Sequence, residues 1–213
     1  MILKNSEILL TEPRGFCAGV ERAIEIVNRA VEIFDETIFV KHEVVHNKHV
    51  IEQLVEKGVV FVESLETVPD QSILIYSAHG VSKEISELAT KKRLKVFDAT
   101  CPLVTKVHFE IHKFASQNID VVLVGHSGHP EVEGTMGQYI SEKGKIHLIE
   151  TNDDLDKLKI ENKNIAYVTQ TTLSVDDTKS IISCLKNKFP NIIGPRKDAV
   201  SYTHLTLPTR RGG

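Results

Sequence analysis

Short apolar runs rich in β-branched residues alternate with longer amphipathic stretches along most of the chain. The apolar runs predict strands at residues 7–11, 38–45, 59–63, 72–78, 95–100, 120–125, 145–150 and 165–171. The stretches between them carry apolar residues at helical spacing and predict helices at residues 18–34, 47–58, 81–93, 102–118, 153–159 and 175–189. Because strands alternate with helices, the pattern predicts an α/β fold with parallel sheets and crossover helices.

Cysteine and histidine recur with nearly equal spacing and divide this pattern into two similar parts. Cys17 precedes His46 by 29 residues, and Cys101 precedes His129 by 28 residues. We therefore expect two α/β/α units, with a ligand site at the carboxyl ends of their strands. The predicted organisation is an N-terminal strand and loop at 1–16, a first α/β unit at 17–101, a second unit at 102–198 and a tail at 199–213.

The tail differs from the rest of the chain. AVSYTHLTLPTRRGG has neither helical period nor strand-like alternation. The segment VSYTHLTLPT also resembles the translation of a transposon-type sequencing adapter. We expect residues 199–213 to be unstructured read-through, and the chain to be an N-terminal fragment of a longer protein.

The composition narrows the class of protein. The 213 residues are 41% hydrophobic and 26% charged, with a formal net charge of −3, which is ordinary for a globular protein. This near-neutral net charge does not indicate binding to nucleic acid or to an anionic membrane. No apolar run approaches the roughly 20 residues of a membrane span, and the N-terminus lacks the features of a secretory signal. Three cysteines without disulfide-like spacing favour a reducing, cytoplasmic setting.

Two cysteines begin predicted helices and are candidate metal ligands. Cys17 lies in PRGFCAGVERA and Cys101 in DATCPLVTKVH, each between a strand and a helix. The partial positive charge of a helix N-terminus favours the thiolate, which is the form that binds metals. A small apolar residue packed in a turn is the alternative for either cysteine alone. Cys184 lies within a predicted helix among apolar residues and is expected in the core.

Polar residues at other strand ends are candidate substrate ligands. The segment VGHSGHPEVEGTMGQY carries His126, His129, Glu131 and Glu133 on a predicted Gly-rich loop. These residues fit either a hydrolytic metal site or, for Glu131, a proton donor whose pKa neighbouring negative charge raises. Glu133 is expected to be a solvated surface residue.

Further candidates follow three other strands. His46 and His79 end strands and would hold a phosphate or diphosphate together with helix N-termini. Thr171 and Thr172 offer hydroxyl groups that could orient a substrate or pass a proton, and ordinary turn chemistry is the alternative reading for them.

Seven motifs in order give the chain a specific resemblance. They are PRGFCAGV, HEVVHN, SAHGVS, DATCPLVTKVH, GHPEVEGTMGQ, TQTTLSVDDT and GPRKD, and they cover about residues 7–198. Together they resemble the 4-hydroxy-3-methylbut-2-enyl diphosphate reductase (IspH/LytB) family. The resemblance implies reductive removal of the allylic hydroxyl of (E)-4-hydroxy-3-methylbut-2-enyl diphosphate, giving isopentenyl and dimethylallyl diphosphates in the non-mevalonate isoprenoid pathway.

The resemblance also implies a fold, a cofactor and residue roles. The fold would have three α/β units around a 4Fe–4S cluster, with one cysteine ligand from each unit. Cys17 and Cys101 would be two of these metal ligands, and ferredoxin or flavodoxin would supply electrons. Glu131 would donate the proton, and the residues that contact substrate would be His46, His79, His129 and Thr171.

The chain departs from the family pattern at the third cysteine. Three positions after GPRKD the family has cysteine, whereas this chain has Ser201, a poor ligand for iron–sulfur clusters. We therefore expect this chain alone to be inactive, with the activity belonging to the parent protein. Two alternatives remain at this point: a metal-dependent phosphohydrolase using His126, His129 and Glu131, and a non-catalytic remnant that binds diphosphates.

Overall fold

The computed structural model describes residues 15–195, except the side chains of residues 175–177. Its helices are α1 (Ala18–Ile33), α2 (Lys48–Glu56), α3 (Lys83–Lys91), α4 (Pro102–Ser116), α5 (Pro130–Gly137), α6 (Asn152–Lys157) and α7 (Val175–Lys188). Its strands are β1 (Ile38–Lys41), β2 (Val60–Val62), β3 (Ile73–Tyr76), β4 (Lys95–Asp98), β5 (Asp120–Val124), β6 (Ile146–Ile149) and β7 (Ile165–Thr169). The predicted strand at 7–11, the tail at 199–213 and Ser201 lie outside the described residues.

The described strands form two parallel sheets, which confirms the predicted α/β class. The first sheet has the order β2-β1-β3-β4, and the second has the order β6-β5-β7. Beyond β7, Ile193 forms a parallel bridge with Ala166 and so continues the second sheet. We call the part from α1 to β4 the first unit and the part from α4 to α7 the second unit.

Each sheet is covered on both faces by apolar side chains. One cluster packs α1 and α2 against the first sheet, and a second packs α3 against its other face. The second sheet is likewise packed between a cluster that includes α4 and one that includes α6 and α7. Cys184 packs against the last of these clusters, as expected for a core residue. Coverage of both faces explains why the central strands β3 and β5 are buried along their whole length.

Helix ends follow signals that the sequence carries. Asn47 and Ser82 cap α2 and α3 through side-chain oxygens that accept backbone N–H groups. Gly58 follows the end of α2 in the left-handed region, with φ of 87°, a conformation that ends a helix and that glycine adopts easily. In the part of the chain that is described, no helix has the length and apolar character needed to cross a bilayer.

The sequence prediction was wrong for residues 130–137. They form helix α5, whereas the sequence predicted a loop through this Gly-rich segment. Pro130 occupies the first turn of α5, and the His129 side chain accepts the N–H of Glu131 as its N-cap. The helix was not predicted because the segment contains Gly134 and Gly137, and glycine disfavours the helical state. Glu131 and Glu133 therefore lie in a helical first turn rather than on a loop.

Candidate active site

Cys17 and Cys101 stand at equivalent places in the two units and converge on each other. Each is the N-cap residue of its helix, α1 or α4, and neither side chain makes a capping hydrogen bond. A Cβ added to Gly19 would lie 2.6 Å from the Cys101 sulfur and 4.0 Å from the Cys17 sulfur. Both sulfurs therefore lie within 4.0 Å of one point. Both thiols are free, Cys17 is exposed and Cys101 is half-buried.

Backbone contacts hold this pair of junctions together. Arg22 of α1 donates hydrogen bonds to the carbonyl oxygens of Thr100, at 3.1 Å, and Asp98, at 3.3 Å. The Cys101 N–H donates to the Ala78 carbonyl at 2.9 Å. The end of β4 is thereby tied both to α1 and to the loop that carries His79.

Three predicted histidines meet at the carboxyl edge of the strands. His46 follows β1, His79 follows β3 and His129 caps α5 in the second unit. Their ring centroids are 4.7 Å apart for His46–His79, 5.1 Å for His46–His129 and 5.3 Å for His79–His129. One ligating atom from each lies within 4.8 Å of the other two. His79 is 7% exposed, whereas His46 faces solvent and provides the open side of the cluster.

Burial disfavours the charged forms of His79 and His129 in this cluster. Burial lowers the pKa of His79 to about 3, and repulsion from His46 and His129 adds to the shift. Burial, followed by repulsion from His46, also lowers the pKa of His129. Both shifts arise first from burial and then from repulsion between the rings, so an anion placed among the rings would oppose them.

One hydrogen bond fixes which nitrogen of His129 carries the proton. The backbone N–H of Glu131 donates to His129 Nδ1 at 3.1 Å, so that nitrogen must be the unprotonated acceptor. The neutral ring then carries its proton on Nε2, which faces His46 Nε2 at 3.2 Å. An N–H directed into the cluster suits an anion, whereas a metal would need a lone pair on that nitrogen.

Glu131 is a buried carboxyl group beside this cluster. It is 1% exposed, and its two oxygens accept the Thr171 N–H at 2.6 Å and the Thr171 hydroxyl at 3.0 Å. Burial raises the pKa of Glu131 to about 7, against the opposite effect of the two Thr171 hydrogen bonds. The sequence predicted that the negative charge of a nearby substrate would raise this pKa, and burial already raises it in the chain alone.

The structure does not gather the residues of the hydrolytic alternative. His126 is 63% exposed and its Nδ1 lies 3.4 Å from Glu150, away from the partners that His129 and Glu131 use. Among the described residues, the group of three or more histidine, cysteine or acidic side chains close enough to share a metal is the histidine cluster. A metal site built from His126, His129 and Glu131 therefore has no geometric support.

Two further polar groups at the site were not predicted. Gln170 is buried, accepts the N–H of His126 at 3.0 Å and donates to the Thr172 hydroxyl at 2.7 Å, so it shapes the loop after β7. Lys41 is 4% exposed at the end of β1, and burial lowers its pKa. Both stand at strand ends, and Gln170 also adjoins the predicted Thr171, which was the available signal.

Comparison with known proteins places this geometry in a family. Residues 8–204 match the model of the LytB protein family. The chain is 59% identical to the 4-hydroxy-3-methylbut-2-enyl diphosphate reductase of Methylococcus capsulatus over 197 residues, which are 92% of this chain and 63% of that protein. It is 57% identical to the reductase of Nitrosomonas europaea, covering 92% of this chain and 61% of the relative. The chain thus spans less than two thirds of the length of these curated relatives.

Solved structures agree with the sequence comparison. The fold superposes on the E-1-hydroxy-2-methyl-but-2-enyl-4-diphosphate reductase of Plasmodium falciparum with a TM-score of 0.83 and 47% identity, over 90% of this chain and 59% of that one. It also matches a structure described as (E)-4-hydroxy-3-methyl-but-2-enyl diphosphate reductase, the terminal enzyme of the non-mevalonate pathway, with a TM-score of 0.74 and 30% identity, over 90% of this chain and 68% of that chain. By sequence and by fold, the chain belongs to the LytB protein family.

Proposed function

We propose that this chain carries most of the active site of a reductase that converts (E)-4-hydroxy-3-methylbut-2-enyl diphosphate to isopentenyl and dimethylallyl diphosphates. The observation that carries the proposal is the meeting of three histidines from two units beside a buried carboxyl group. The names of the relatives, which are reductases of this substrate, agree with that chemistry. The two-unit division at 17–101 and 102–198 belongs to the same proposal.

The histidines bind the diphosphate. His129 offers its Nε2–H, fixed by the hydrogen bond at Nδ1, and His46 and His79 converge on the same space. Anionic oxygens there raise the pKa of the rings and favour additional N–H donors, so the site gains charge as the ligand enters. Binding at this remote group holds the allylic alcohol in one orientation for the chemical step.

Glu131 delivers a proton in the step that expels water. Its pKa of about 7 leaves a substantial protonated fraction near neutral pH, as a general acid requires. Thr171 accepts or passes this proton through its hydroxyl, which lies 3.0 Å from Glu131. Two electrons and two protons are consumed as the C–O bond breaks and water leaves.

Cys17 and Cys101 are two of the cysteine ligands for an iron–sulfur cluster. Their sulfurs lie near one common point at two helix N-termini, which fits a shared metal group. When bound, a 4Fe–4S cluster supplies single electrons and a Lewis-acidic iron. We further propose a ferredoxin or flavodoxin as electron donor and a cytoplasmic setting. Because Ser201 stands where the resemblance expects the third cysteine, this chain alone holds no stable cluster and is inactive.

A hybrid protein tests the proposal. Residues 8–198 of this chain would replace the corresponding part of the Methylococcus capsulatus relative, with which it shares 59% identity. With anaerobic iron and sulfide reconstitution and a reduced ferredoxin, we expect conversion of the substrate to both products. A hybrid that holds its cluster and binds the substrate without turnover would overturn the proposal. Glu131→Gln in the hybrid should abolish turnover while leaving substrate binding.

Ser201 favours a second candidate, in which this chain by itself binds diphosphates without catalysis. Calorimetry of the metal-free chain with inorganic pyrophosphate tests it, with His46→Gln and His79→Gln as variants. Affinity that is lost in both variants supports the candidate. Affinity that survives both substitutions counts against it and against the assignment of the histidines.

A further inference from the structure

Helix α5 approaches the loop after β3 through positions that have no side chain. A Cβ added to Gly137 would overlap the Cβ of Ser82 and stand 3.1 Å from its Cα. A Cβ added to Gly134 would stand 3.3 Å from the carbonyl oxygen of Gly80. Gln138, next to Gly137, donates from Nε2 to the Val81 carbonyl at 2.7 Å. The backbone of α5 in the second unit therefore packs directly against the 80–82 loop of the first unit.

The same loop and the same helix carry two of the three histidines. His79 directly precedes the 80–82 loop, and His129 is the N-cap of α5. Helix α5 has eight residues, so a displacement at Gly137 is transmitted to His129 through continuous helical hydrogen bonding. The contact between Gly137 and Ser82 thus fixes the distance between His129 and the histidines of the first unit.

The 80–82 loop cannot move away from α5, because it is supported on its other side. The Ala78 carbonyl accepts the N–H of Cys101 at 2.9 Å. A Cβ on Gly80 would meet the His108 ring at 2.8 Å and Val104 at 3.3 Å, so helix α4 packs directly against this loop. If a side chain is added at residue 137, the displaced element is therefore α5, which carries His129.

We infer that Gly137 is a positioning residue: it lets α5 lie against Ser82 and thereby holds His129 beside His46 and His79. Charge attraction adds to the same docking: burial lowers the pKa of Lys41 in the first unit, and the carboxylates of Glu63 and, to a smaller extent, Glu133 of α5 oppose that effect. Gly137 itself has no positive φ, so alanine is compatible with its backbone. Alanine also favours the helical state over glycine, so any loss of binding in Gly137→Ala comes from the contact.

A pair of substitutions exchanges the side chain across the contact. Gly137→Ala adds the Cβ, and Ser82→Gly removes the atom that this Cβ would overlap. Ser82 caps α3 by accepting the Ile85 N–H at 3.2 Å, and glycine is nearly as good as serine at an N-cap, so Ser82→Gly is a mild control. The two single variants and the double variant are compared with the unaltered chain.

This inference rests on the proposed function only for the choice of pyrophosphate as the probe. Two measurements on the 213-residue chain therefore test the inference and the proposed function separately. Calorimetry gives the affinity for inorganic pyrophosphate, and nuclear Overhauser contacts report the proximity of the His46 and His129 rings, which are 5.1 Å apart. In Gly137→Ala we expect the ring contacts to be lost and the affinity to fall on the order of 10-fold, because one charge-assisted hydrogen bond is misplaced. Ser82→Gly should change neither, and the double variant should recover most of both.

Each outcome decides the inference. Unchanged ring contacts in Gly137→Ala overturn the inference. A loss of ring contacts that persists in the double variant with Ser82→Gly also overturns it. If the unaltered chain does not bind pyrophosphate, diphosphate binding by this chain alone fails while the ring contacts still decide the role of Gly137. If Gly137→Ala does not fold, Gly134→Ala replaces it, with a smaller loss of ring contacts expected from its 3.3 Å approach to Gly80.

Discussion

At the scale of single residues, Glu131 shows what tertiary structure adds to a sequence motif. Its position in GHPEVEGTMGQ marked it as a candidate acid, but the motif contained no reason for its burial. Glu131 is 1% exposed, and its carboxyl oxygens accept hydrogen bonds from Thr171, 40 residues away. Contacts between residues so distant in sequence cannot be read from local pattern, so the residue could be predicted and the cause of its raised pKa could not.

The raised pKa of Glu131 predicts a pH-dependent cost to stability. Between its usual value of 4.5 and about 7, the folded chain retains a proton that the unfolded chain releases, so the free energy of unfolding falls as pH rises. Glu131→Gln removes this dependence. Relative to the unaltered chain, the variant should gain up to about 3 kcal/mol between pH 4 and pH 8 in denaturant titrations. An equal stability difference at both pH values would contradict the prediction.

The buried His79 predicts proton uptake when a diphosphate binds. Burial lowers the pKa of His79 in the free chain, and the anionic ligand opposes that shift. Pyrophosphate affinity should therefore increase from pH 8 to pH 6. Calorimetry in buffers of different ionisation enthalpy should show uptake of up to about one proton. Uptake should decrease in His79→Gln, and binding without proton uptake in the unaltered chain would argue against this role.

At the scale of elements, the starts of α1 and α4 were predictable and α5 was not. The start of α1 after Cys17 and the junction of β4 with α4 at Cys101 follow from a switch in hydrophobic period, which is a local property of the sequence. Helix α5 lacks that signal, because Gly134 and Gly137 face the first unit where another helix would present apolar side chains. Pro130 and the capping His129 were signals for this helix, but they are weaker than periodicity.

The close approach of α1 to Cys101 predicts an effect of Gly19→Ala on the two thiols. The added Cβ would stand 2.6 Å from the Cys101 sulfur, so the sulfur must move by roughly 1 Å to reach ordinary contact. Cadmium, which binds thiolates, reports the change because the two sulfurs must share one ion. We expect the affinity for cadmium to fall about 10-fold or more in Gly19→Ala, which is the usual effect of mutating a residue that positions metal ligands.

A matched variant controls the cadmium experiment. Cys184 packs against the core of the second unit, away from the pair formed by Cys17 and Cys101. Cys184→Ser should therefore bind cadmium like the unaltered chain, whereas Cys101→Ser should lose the two-thiolate site. Equal affinity in Gly19→Ala and the unaltered chain would show that Gly19 does not position the Cys101 sulfur.

At the scale of the whole molecule, the site depends on how two separately packed sheets meet. The repeated Cys-to-His spacing predicted two similar units, and each sheet has its own apolar clusters. Their relative placement was not predictable, because it rests on backbone contacts such as Gly134 with Gly80 that leave no hydrophobic pattern. The two units also differ from each other in their number of strands: among the described residues, the first sheet has four strands and the second has three.

Because the proposed diphosphate site takes two histidines from the first unit and one from the second, a bound ligand should oppose separation of the units. At a pyrophosphate concentration 100 times Kd, any opening that breaks the site becomes about 2.7 kcal/mol less favourable. Hydrogen exchange should then slow about 100-fold for amides that exchange through this opening, in both the 80–82 loop and α5. In His129→Gln the slowing should become small in both segments, since the ligand then contacts the first unit alone. Slowing confined to one segment of the unaltered chain would mean that the ligand does not bridge the two units.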